Sequence, residues 1–416
     1  MIKNYFKIAW RNLVKNKGYS AINIGGLAIG MAVAILIGLW IYDELSFNKY
    51  HKNYDRIAQV MIKRSFNDQR YSSAALPRPL EPELRAQYGR NFRQIVMSRW
   101  NESHILSAGN KKLSQTGRFM QEGAPEMLSL KMLSGKRNGL KDPHSIILAS
   151  SAAKALFGDE NPMDKMMRID NQMDVKVTGI YEDLPYNTEF NDIKFISTWD
   201  LMLTNNKWMQ EAADQWGNSS FLIYVELEPN TTHKAVSAVI KNAALDKVEP
   251  EDKKFNPQVF LNPMSNWHLY SEWKNGMNTG GRIQYVWLFG IIGLFVLLLA
   301  CINFMNLSTA RSEKRAKEVG IRKAIGSMRS QLIRQFLSES LMVAFIAFLL
   351  ATLLVTASLP WFNELADKKL IIIWSNPYFW TFSIAFIILT GVTAGSYPAL
   401  YLSSFNAVKV LKGTFR

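Results

Sequence analysis

The sequence predicts an α-helical membrane protein with four transmembrane helices and a large extracytoplasmic α+β domain of two subdomains. Three observations lead to this fold class. Four apolar runs have the length of a membrane span, and the stretch between the first and the second, residues 43–283, is of ordinary mixed polarity. The chain of 416 residues also has a net charge of +15, concentrated in short segments beside the apolar runs.

The four predicted spans cover residues 19–42, 284–308, 336–359 and 378–402. About 20 helical residues are needed to cross ~30 Å of hydrocarbon, and each run reaches that length. The first run follows a basic segment, as a signal peptide would. Its apolar part, residues 21–41, is longer than the ~7–15 residues of a signal core, so we expect an uncleaved helix.

Basic residues predict the orientation of these spans. Residues 1–18 contain five basic and no acidic residues, residues 309–335 contain eight basic and two acidic residues, and the tail 403–416 contains three basic residues. Because short loops rich in Lys and Arg stay in the cytoplasm, these segments and both termini are predicted to be cytoplasmic. Residues 43–283 and the short loop 360–377 are then external. Charge of this origin indicates topology and contact with anionic lipid rather than nucleic-acid binding.

The N-terminal segment, residues 1–18, has apolar side chains at helical spacing with basic residues between them. This pattern is typical of an amphipathic helix that lies on the membrane surface. A basic anchor that orients the first span explains the same charges, and the two interpretations are compatible.

Helix and strand patterns are mixed in the external domain. Residues 150–157 predict a helix that ends at Gly158, and residues 232–245 predict another. Residues 166–169 and 175–181 predict two strands joined by a turn at Asp170-Asn171. A further strand is predicted at residues 221–227.

Gly26 and Gly30 in the first span form a small-xxx-small pair. Small residues on one helix face allow two backbones to approach closely, which favours packing in lipid. We expect a packed face here, either within the chain or across a two-fold dimer.

Catalytic patterns are missing from the sequence. The glycines at positions 25, 26 and 30 are not followed by the Lys and Ser/Thr of a phosphate-binding loop. The five histidines lack metal-ligand spacing, and the single cysteine, Cys301, excludes an intrachain disulfide. We therefore expect a protein that is not an enzyme and that holds no metal or cofactor.

A basic segment between the second and third spans is the strongest functional pattern. It reads Glu318-Val319-Gly320-Ile321-Arg322-Lys323-Ala324-Ile325-Gly326. Glu318 and Arg322 are four residues apart and can pair on a helix. The segment also offers three apolar anchors and two glycines that permit a turn or a close approach. A basic loop that only faces lipid would explain the charge but not the anchors.

This segment, with residues 310–311 and 335–337 around it, resembles the coupling region of MacB/FtsX-type ABC transporter permeases. Asp43-Glu44-Leu45-Ser46-Phe47, with His51-Lys52-Asn53, is similar to the start of the MacB-like periplasmic core domain. The interior of that domain is matched by Ala155-Leu156-Phe157-Gly158-Asp159, and the end of the last span by Ser396-Tyr397-Pro398-Ala399. The chain is similar to a single-module or half-length form.

The resemblance implies a permease subunit in the bacterial inner membrane. It would relay the motion of a separate ABC ATPase, which holds ATP and Mg, to the external domain, for export or extraction of a substrate. The implied partners are that ATPase, a second copy or a second permease module, membrane lipids, and a membrane-fusion or outer-membrane protein. The alternative is a membrane-anchored extracytoplasmic sensor or regulator of envelope enzymes.

Overall fold

The computed structural model describes residues 10–11, 13–15, 17–310 and 319–404. The chain divides into two compact units: a membrane unit of Met1–Asp43 with Val286–Arg416, and an α+β domain of Glu44–Tyr285. The predicted fold class is confirmed, since four helices are long and apolar enough to cross a membrane and the domain between the first two mixes strands with short helices. Most of the predicted amphipathic helix 1–18 and all but two residues of the tail 403–416 lie outside the described residues.

The helices are α1 (Lys17–Ser46), α2 (Leu80–Tyr88), α3 (Ala124–Met127), α4 (Ser150–Phe157), α5 (Trp199–Asn205), α6 (Lys207–Glu211), α7 (His233–Ile240), α8 (Pro250–Lys253), α9 (Met264–Trp267), α10 (Ile283–Ala310), α11 (Arg329–Ala366) and α12 (Pro377–Ser404). A further helical stretch covers residues 319–324.

The strands are β1 (Ile57–Phe66), β2 (Gln69–Ser73), β3 (Leu76–Pro77), β4 (Phe92–Ser98), β5 (Glu102–Ala108), β6 (Lys111–Met120), β7 (Met132–Gly135), β8 (Ser145–Ala149), β9 (Met166–Ile169), β10 (Met173–Tyr181), β11 (Phe195–Thr198), β12 (Ser219–Leu227), β13 (Gln258–Pro263), β14 (Glu272–Lys274) and β15 (Met277–Gly280).

Six strands of the α+β domain pair in a closed ring. Their order is β11-β8-β10-β9-β5-β6, and β11 pairs in parallel with β6 to close it. At the closure Phe195 is directly opposite Gly117, and a Cβ on Gly117 would overlap the Phe195 ring. Because position 117 is glycine, the phenyl group of Phe195 can pack between β6 and β11, where the ring of strands closes.

The other large strands form an open sheet that continues from the ring through β4. Its order is β4-β12-β1-β13, all antiparallel, with β2 added to β1 and β3 to β12. Side chains of both parts share one apolar core, and a second core covers the opposite face. The ring and the open sheet are the two subdomains that the mixed sequence pattern indicates.

The predicted turn at Asp170-Asn171 is present between β9 and β10, and both residues have left-handed backbone angles, φ 52° and 57°. Asn and Asp tolerate that conformation, which tight turns between antiparallel strands often use. Gly158 ends α4 with φ 65°. The predicted helix 232–245 is shorter in the structure. It stops at Ile240 because the backbone carbonyl of Lys241 accepts a hydrogen bond from Val259 of β13 instead of continuing the helix.

In the membrane unit, the helices continue beyond the apolar runs that predicted them. The largest difference is in α11, whose 38 residues span roughly 57 Å at about 1.5 Å per residue. It begins before residue 336 because Leu332 packs with Phe336 in an apolar cluster. It ends at Asp367, which has a left-handed φ of 50°. Hydropathy locates the part of a helix in hydrocarbon, whereas backbone hydrogen bonds carry the helix further.

Candidate functional site

The basic segment after α10 is helical over its first described residues. The N–H of Ile325 donates a helical hydrogen bond to the carbonyl of Ile321 (3.1 Å), and the N–H of Ser327 donates to the carbonyl of Arg322 (3.0 Å) where the helix ends. Gly326 follows with φ 99°, a conformation that favours glycine. Gly326 thus makes the turn into α11. Gly320 lies inside the helical stretch and is buried, so it does not make the turn, and a close approach to another backbone stays a prediction for this residue.

One side of the segment packs on the membrane helices. Val319 is 2% exposed and lies in a cluster with Leu332 and Phe336 of α11 and with Ala399 and Leu402 of α12. Among the three predicted apolar anchors, Val319 therefore holds the segment against its own chain.

The opposite side of the segment presents apolar side chains to the surroundings. Ile321 is 51% exposed, Ile325 is 81% exposed, and Met328, just after the turn, is 68% exposed. Exposed Ala324 lies between them and Lys323 is half-buried. We call Ile321, Ile325 and Met328 the apolar patch. Large apolar side chains that are exposed together on both sides of a turn are suited to contact another protein.

Arg322 contacts α11 in the described residues. Glu318, its predicted ion-pair partner, lies outside them. The Nη1 of Arg322 donates to the Oε1 of Gln335, and the Nε2 of Gln335 donates to the Oε1 of Glu339 at 3.2 Å. From the sequence, Gln335 was predicted only as part of the stretch that resembles the coupling region, and Glu339 was not predicted. Polar residues four apart at the start of an apolar run are the signal that could have found them.

Gly26 and Gly30 lie against α10 of the same chain. A Cβ on Gly26 would be 3.3 Å from the Nδ2 of Asn303, and a Cβ on Gly30 would overlap the Cβ of Ala300. The two helix backbones can approach closely at this point because both positions lack a side chain.

A second glycine pair, which was not predicted from the sequence, packs α12 on α11. A Cβ on Gly391 would be 3.0 Å from the Cα of Leu341, and a Cβ on Gly395 would overlap Ser340. The same small-xxx-small spacing that marks Gly26 and Gly30 could have found it. Arg329 adds a hydrogen bond to Ser403 at 3.4 Å. This bond joins the start of α11 to the end of α12.

Near the other end of α1, two neighbouring carboxylates make separate contacts. Asp43 accepts a hydrogen bond from the Nζ of Lys368 at 2.7 Å, within the membrane unit, and both side chains are buried. Glu44 is fully buried in the α+β domain, with His268 at 2.7 Å and Arg282 at 3.3 Å. Asp43 is thus held within the membrane unit, and Glu44 is held within the α+β domain.

The chain just after α1 is held in the α+β domain by His51. Its Nδ1 donates to the carbonyl of Leu128 at 2.7 Å, and its Nε2 is 2.9 Å from the Thr188 hydroxyl. Burial lowers the pKa of His51 to about 4, although the hydrogen bond to Leu128 opposes that shift. The imidazole is therefore neutral near pH 7 and serves as a buried structural contact.

A polar cleft of about 490 Å³ lies between the open sheet and the ring. Arg85 and Arg93 are among its lining residues, but Arg85 pairs with Glu81 at 2.6 Å and Arg93 with Glu226 at 3.5 Å. These two guanidinium groups therefore already have acidic partners.

Comparison with known proteins bears on this geometry. Residues 20–243, more than half of the chain, match the family model of the MacB-like periplasmic core domain. Residues 290–407 match that of the FtsX-like permease C-terminal domain. The chain belongs to the MacB/FtsX-type ABC transporter permeases. The resemblance predicted from the sequence motifs is confirmed, and the chain is a multi-pass membrane protein.

Relatives of this MacB/FtsX-type permease include the macrolide export ATP-binding/permease protein MacB of Campylobacter jejuni. It is 22% identical over 98% of this chain and 61% of its own length, so the chain spans about three-fifths of that relative. The uncharacterised ABC transporter permease YknZ of Bacillus subtilis is 22% identical over 77% of this chain and 75% of its own.

Among solved structures, a domain of a putative permease protein from Porphyromonas gingivalis has a TM-score of 0.43 at 17% identity and covers 51% of this chain and 91% of its own. The periplasmic region of MacB from Actinobacillus actinomycetemcomitans has a TM-score of 0.37 at 15% identity, covering 53% and 92%.

Proposed function

We propose that this permease transmits the ATP-driven motion of a separate ABC ATPase, which holds ATP and Mg, to its α+β domain on the outer side of the membrane. The motion would drive export or extraction of a substrate from the outer face. The observation that carries the proposal is the apolar patch on a basic segment whose other side is fixed to α11 and α12 by Val319. A segment built this way can receive a push on one side and deliver it to membrane helices on the other.

The proposal requires the basic segment of residues 318–326, called the coupling segment from here on, to be cytoplasmic. Its support is the excess of Lys and Arg in residues 1–18, 309–335 and 403–416, which the positive-inside rule assigns to the cytoplasm. Residues 43–283 are then external, in keeping with the MacB-like periplasmic core domain that residues 20–243 match.

Cysteine labelling tests this orientation. On a Cys301→Ser background, Ser114→Cys on β6 and Ser404→Cys at the end of α12 both place a thiol at an exposed position. An impermeant maleimide applied to intact spheroplasts is expected to label the first variant. The second should react only after the membrane is opened. The opposite pattern would place the apolar patch outside and contradict the proposed function.

The contact with the ATPase is tested at Ile325, the most exposed member of the apolar patch. Ile325→Asp puts a carboxylate where an apolar side chain is expected to be buried by the partner. Loss of a hot-spot residue from the centre of an interface costs about 2 kcal/mol or more, which corresponds to over tenfold weaker binding. We expect at least tenfold less co-purified ATPase and a matching loss of permease-dependent ATP turnover in the reconstituted complex.

Ile371→Asp is the matched control, because Ile371 is also an exposed isoleucine (69%) but lies between α11 and α12, away from the coupling segment. Its ATPase capture should equal that of the parent. Gly320→Leu is a poorer probe of docking, since Gly320 is buried and a leucine would disturb the segment itself. Normal capture and turnover with Ile325→Asp would contradict docking through this patch.

A second permease module, from another copy or another chain, completes the proposal. Side chains of α10 are strongly exposed, among them Trp287 (70%), Phe295 (60%) and Leu299 (64%). Lipid or the apolar helices of a second module would cover such a face. A membrane-fusion or outer-membrane protein remains a proposed partner of the α+β domain.

A further inference from the structure

A short chain of polar groups enters the apolar interior of the membrane unit from the coupling segment. It runs from the guanidinium of Arg322 to the side-chain amide of Gln335 and on to the carboxylate of Glu339. Gln335 is 5% exposed and Glu339 is 8% exposed. Burying an amide and a carboxylate is costly unless both are hydrogen-bonded. The two hydrogen bonds of this series supply a partner to each group.

Gln335 is the central link because it uses both ends of its amide. Its oxygen accepts from Arg322, and its nitrogen donates to Glu339, one helical turn further along α11. Replacement by an apolar side chain of the same length would break both contacts at once. Arg322 would then lose this connection to α11, and the packing of Val319 in its cluster would be held less firmly.

Glu339 lies in the part of α11 that is joined to α12. Glu339 is followed by Ser340 and Leu341, the two residues on which Gly395 and Gly391 pack. The coupling segment is therefore connected by polar contacts to a tightly packed helix pair.

From these contacts we infer that Gln335 and Glu339 are positioning residues that hold the coupling segment in register with the α11–α12 pair. The inference rests on the proposed function, because the register matters for a push received at the apolar patch. In this arrangement a force that the ATPase applies to the apolar patch moves α11 and α12 together. Without the two residues the segment would lift away from the cluster around Val319 more often, and motion of the ATPase would be lost in the segment.

The test measures docking of the segment without the ATPase. In purified protein on a Cys301→Ser background, Val319→Cys places a thiol at a buried position that a soluble maleimide reaches when the segment lifts off. Gln335→Met and Glu339→Met keep side-chain length and helix propensity but remove the polar groups. A hydrogen bond to a charged group is worth enough to change an equilibrium by about tenfold, so each is expected to speed labelling about tenfold. Monodisperse elution and a helix content equal to that of the parent identify folded samples. If one of the two methionine variants does not fold, the labelling rate of the other tests the inference.

Two further variants separate positioning from packing. Glu339→Gln keeps an oxygen that can accept from Gln335, so labelling should return to within about threefold of the parent. Ser338→Ala is the matched control in the same helical turn, because the hydroxyl of Ser338 bonds to the carbonyl of Arg334 in its own helix, and it should leave labelling unchanged. Parental labelling in the two methionine variants, or equal labelling in Glu339→Gln and Glu339→Met, would overturn the inference.

A parallel measurement keeps this result distinct from the proposed function. Capture of the ATPase and stimulation of ATP turnover are recorded with the parent and with Gln335→Met. We expect Gln335→Met to retain part of the capture but to lose most of the stimulation. If the parent captures no ATPase while labelling follows the expected pattern, the proposed function fails and the positioning role stands. Normal capture and stimulation with unchanged labelling would leave the proposed function intact and overturn the positioning role.

Discussion

Lys368→Met is expected to destabilise the membrane unit by about 3 kcal/mol or more. Lys368 and Asp43 form an ion pair at 2.7 Å with side chains that are 8% and 5% exposed. Removing one partner of a buried pair takes an opposite charge away from the other in a poorly solvated site, which typically costs about 3–5 kcal/mol. The measurement is the apparent melting temperature of the purified protein in detergent, followed by tryptophan fluorescence, with a fall of several degrees expected.

The neighbouring residue provides the control. Lys369 is exposed, so Lys369→Met removes the same charge from solvent and should leave the melting temperature within about 1 °C of the parent, as surface substitutions usually do. The double variant Asp43→Leu/Lys368→Met removes both charges, and apolar replacement of a whole buried pair is often neutral. It should recover most of the loss. Equal melting temperatures for Lys368→Met and Lys369→Met would show that the pair does not stabilise this unit.

Gly30→Ala is expected to separate α1 from α10 and to destabilise the membrane unit by about 1–3 kcal/mol, the usual cost of overpacking. The added methyl group would overlap the Cβ of Ala300, an atom attached directly to the backbone that cannot rotate away. Gly38→Ala in the same helix is the control. A Cβ at Gly38 has no described atom within 4 Å, and alanine favours a helix over glycine, so the two substitutions should change the melting temperature in opposite directions.

A compensating variant identifies the partner of Gly30. Gly30→Ala/Ala300→Gly exchanges the two side chains across the contact and should restore much of the lost stability, because one methyl group again fills the space. Restoration by a change in the same polypeptide indicates packing within the chain. If Gly30→Ala behaves like Gly38→Ala, or if Ala300→Gly gives no recovery, the close approach of α1 and α10 at this point is wrong.

Local pattern was sufficient to predict most of the architecture. Hydrophobic runs of about 20 residues identify membrane spans because lipid requires an apolar, fully hydrogen-bonded helix. The turn at Asp170-Asn171 and the end of α4 at Gly158 were predictable because left-handed backbone angles select those residue types. The closed strand ring was not predictable, since pairing of β11 with β6 joins residues that are far apart in sequence.

The coupling segment shows the same division. Its basic charge and its apolar residues were evident in the sequence, and with them its likeness to the coupling region of these permeases. Which apolar residue faces inward was not, because Val319, Ile321 and Ile325 have similar side chains and opposite exposures. The partner of Arg322 also depended on the fold. Glu318 was the nearest acidic residue along the chain, whereas the described contact is with Gln335, 13 residues away on α11.

By itself, the sequence determined that this protein spans the membrane four times, carries one large α+β domain and belongs to the MacB/FtsX-type permeases. Each conclusion depends on composition and spacing within short stretches, where local chemistry is decisive. Tertiary structure alone decided the contacts by which the helices hold one another: Gly30 against Ala300, Asp43 with Lys368, and Gln335 between Arg322 and Glu339. Such contacts form between segments distant in sequence, and their partners are selected by the three-dimensional packing of the helices.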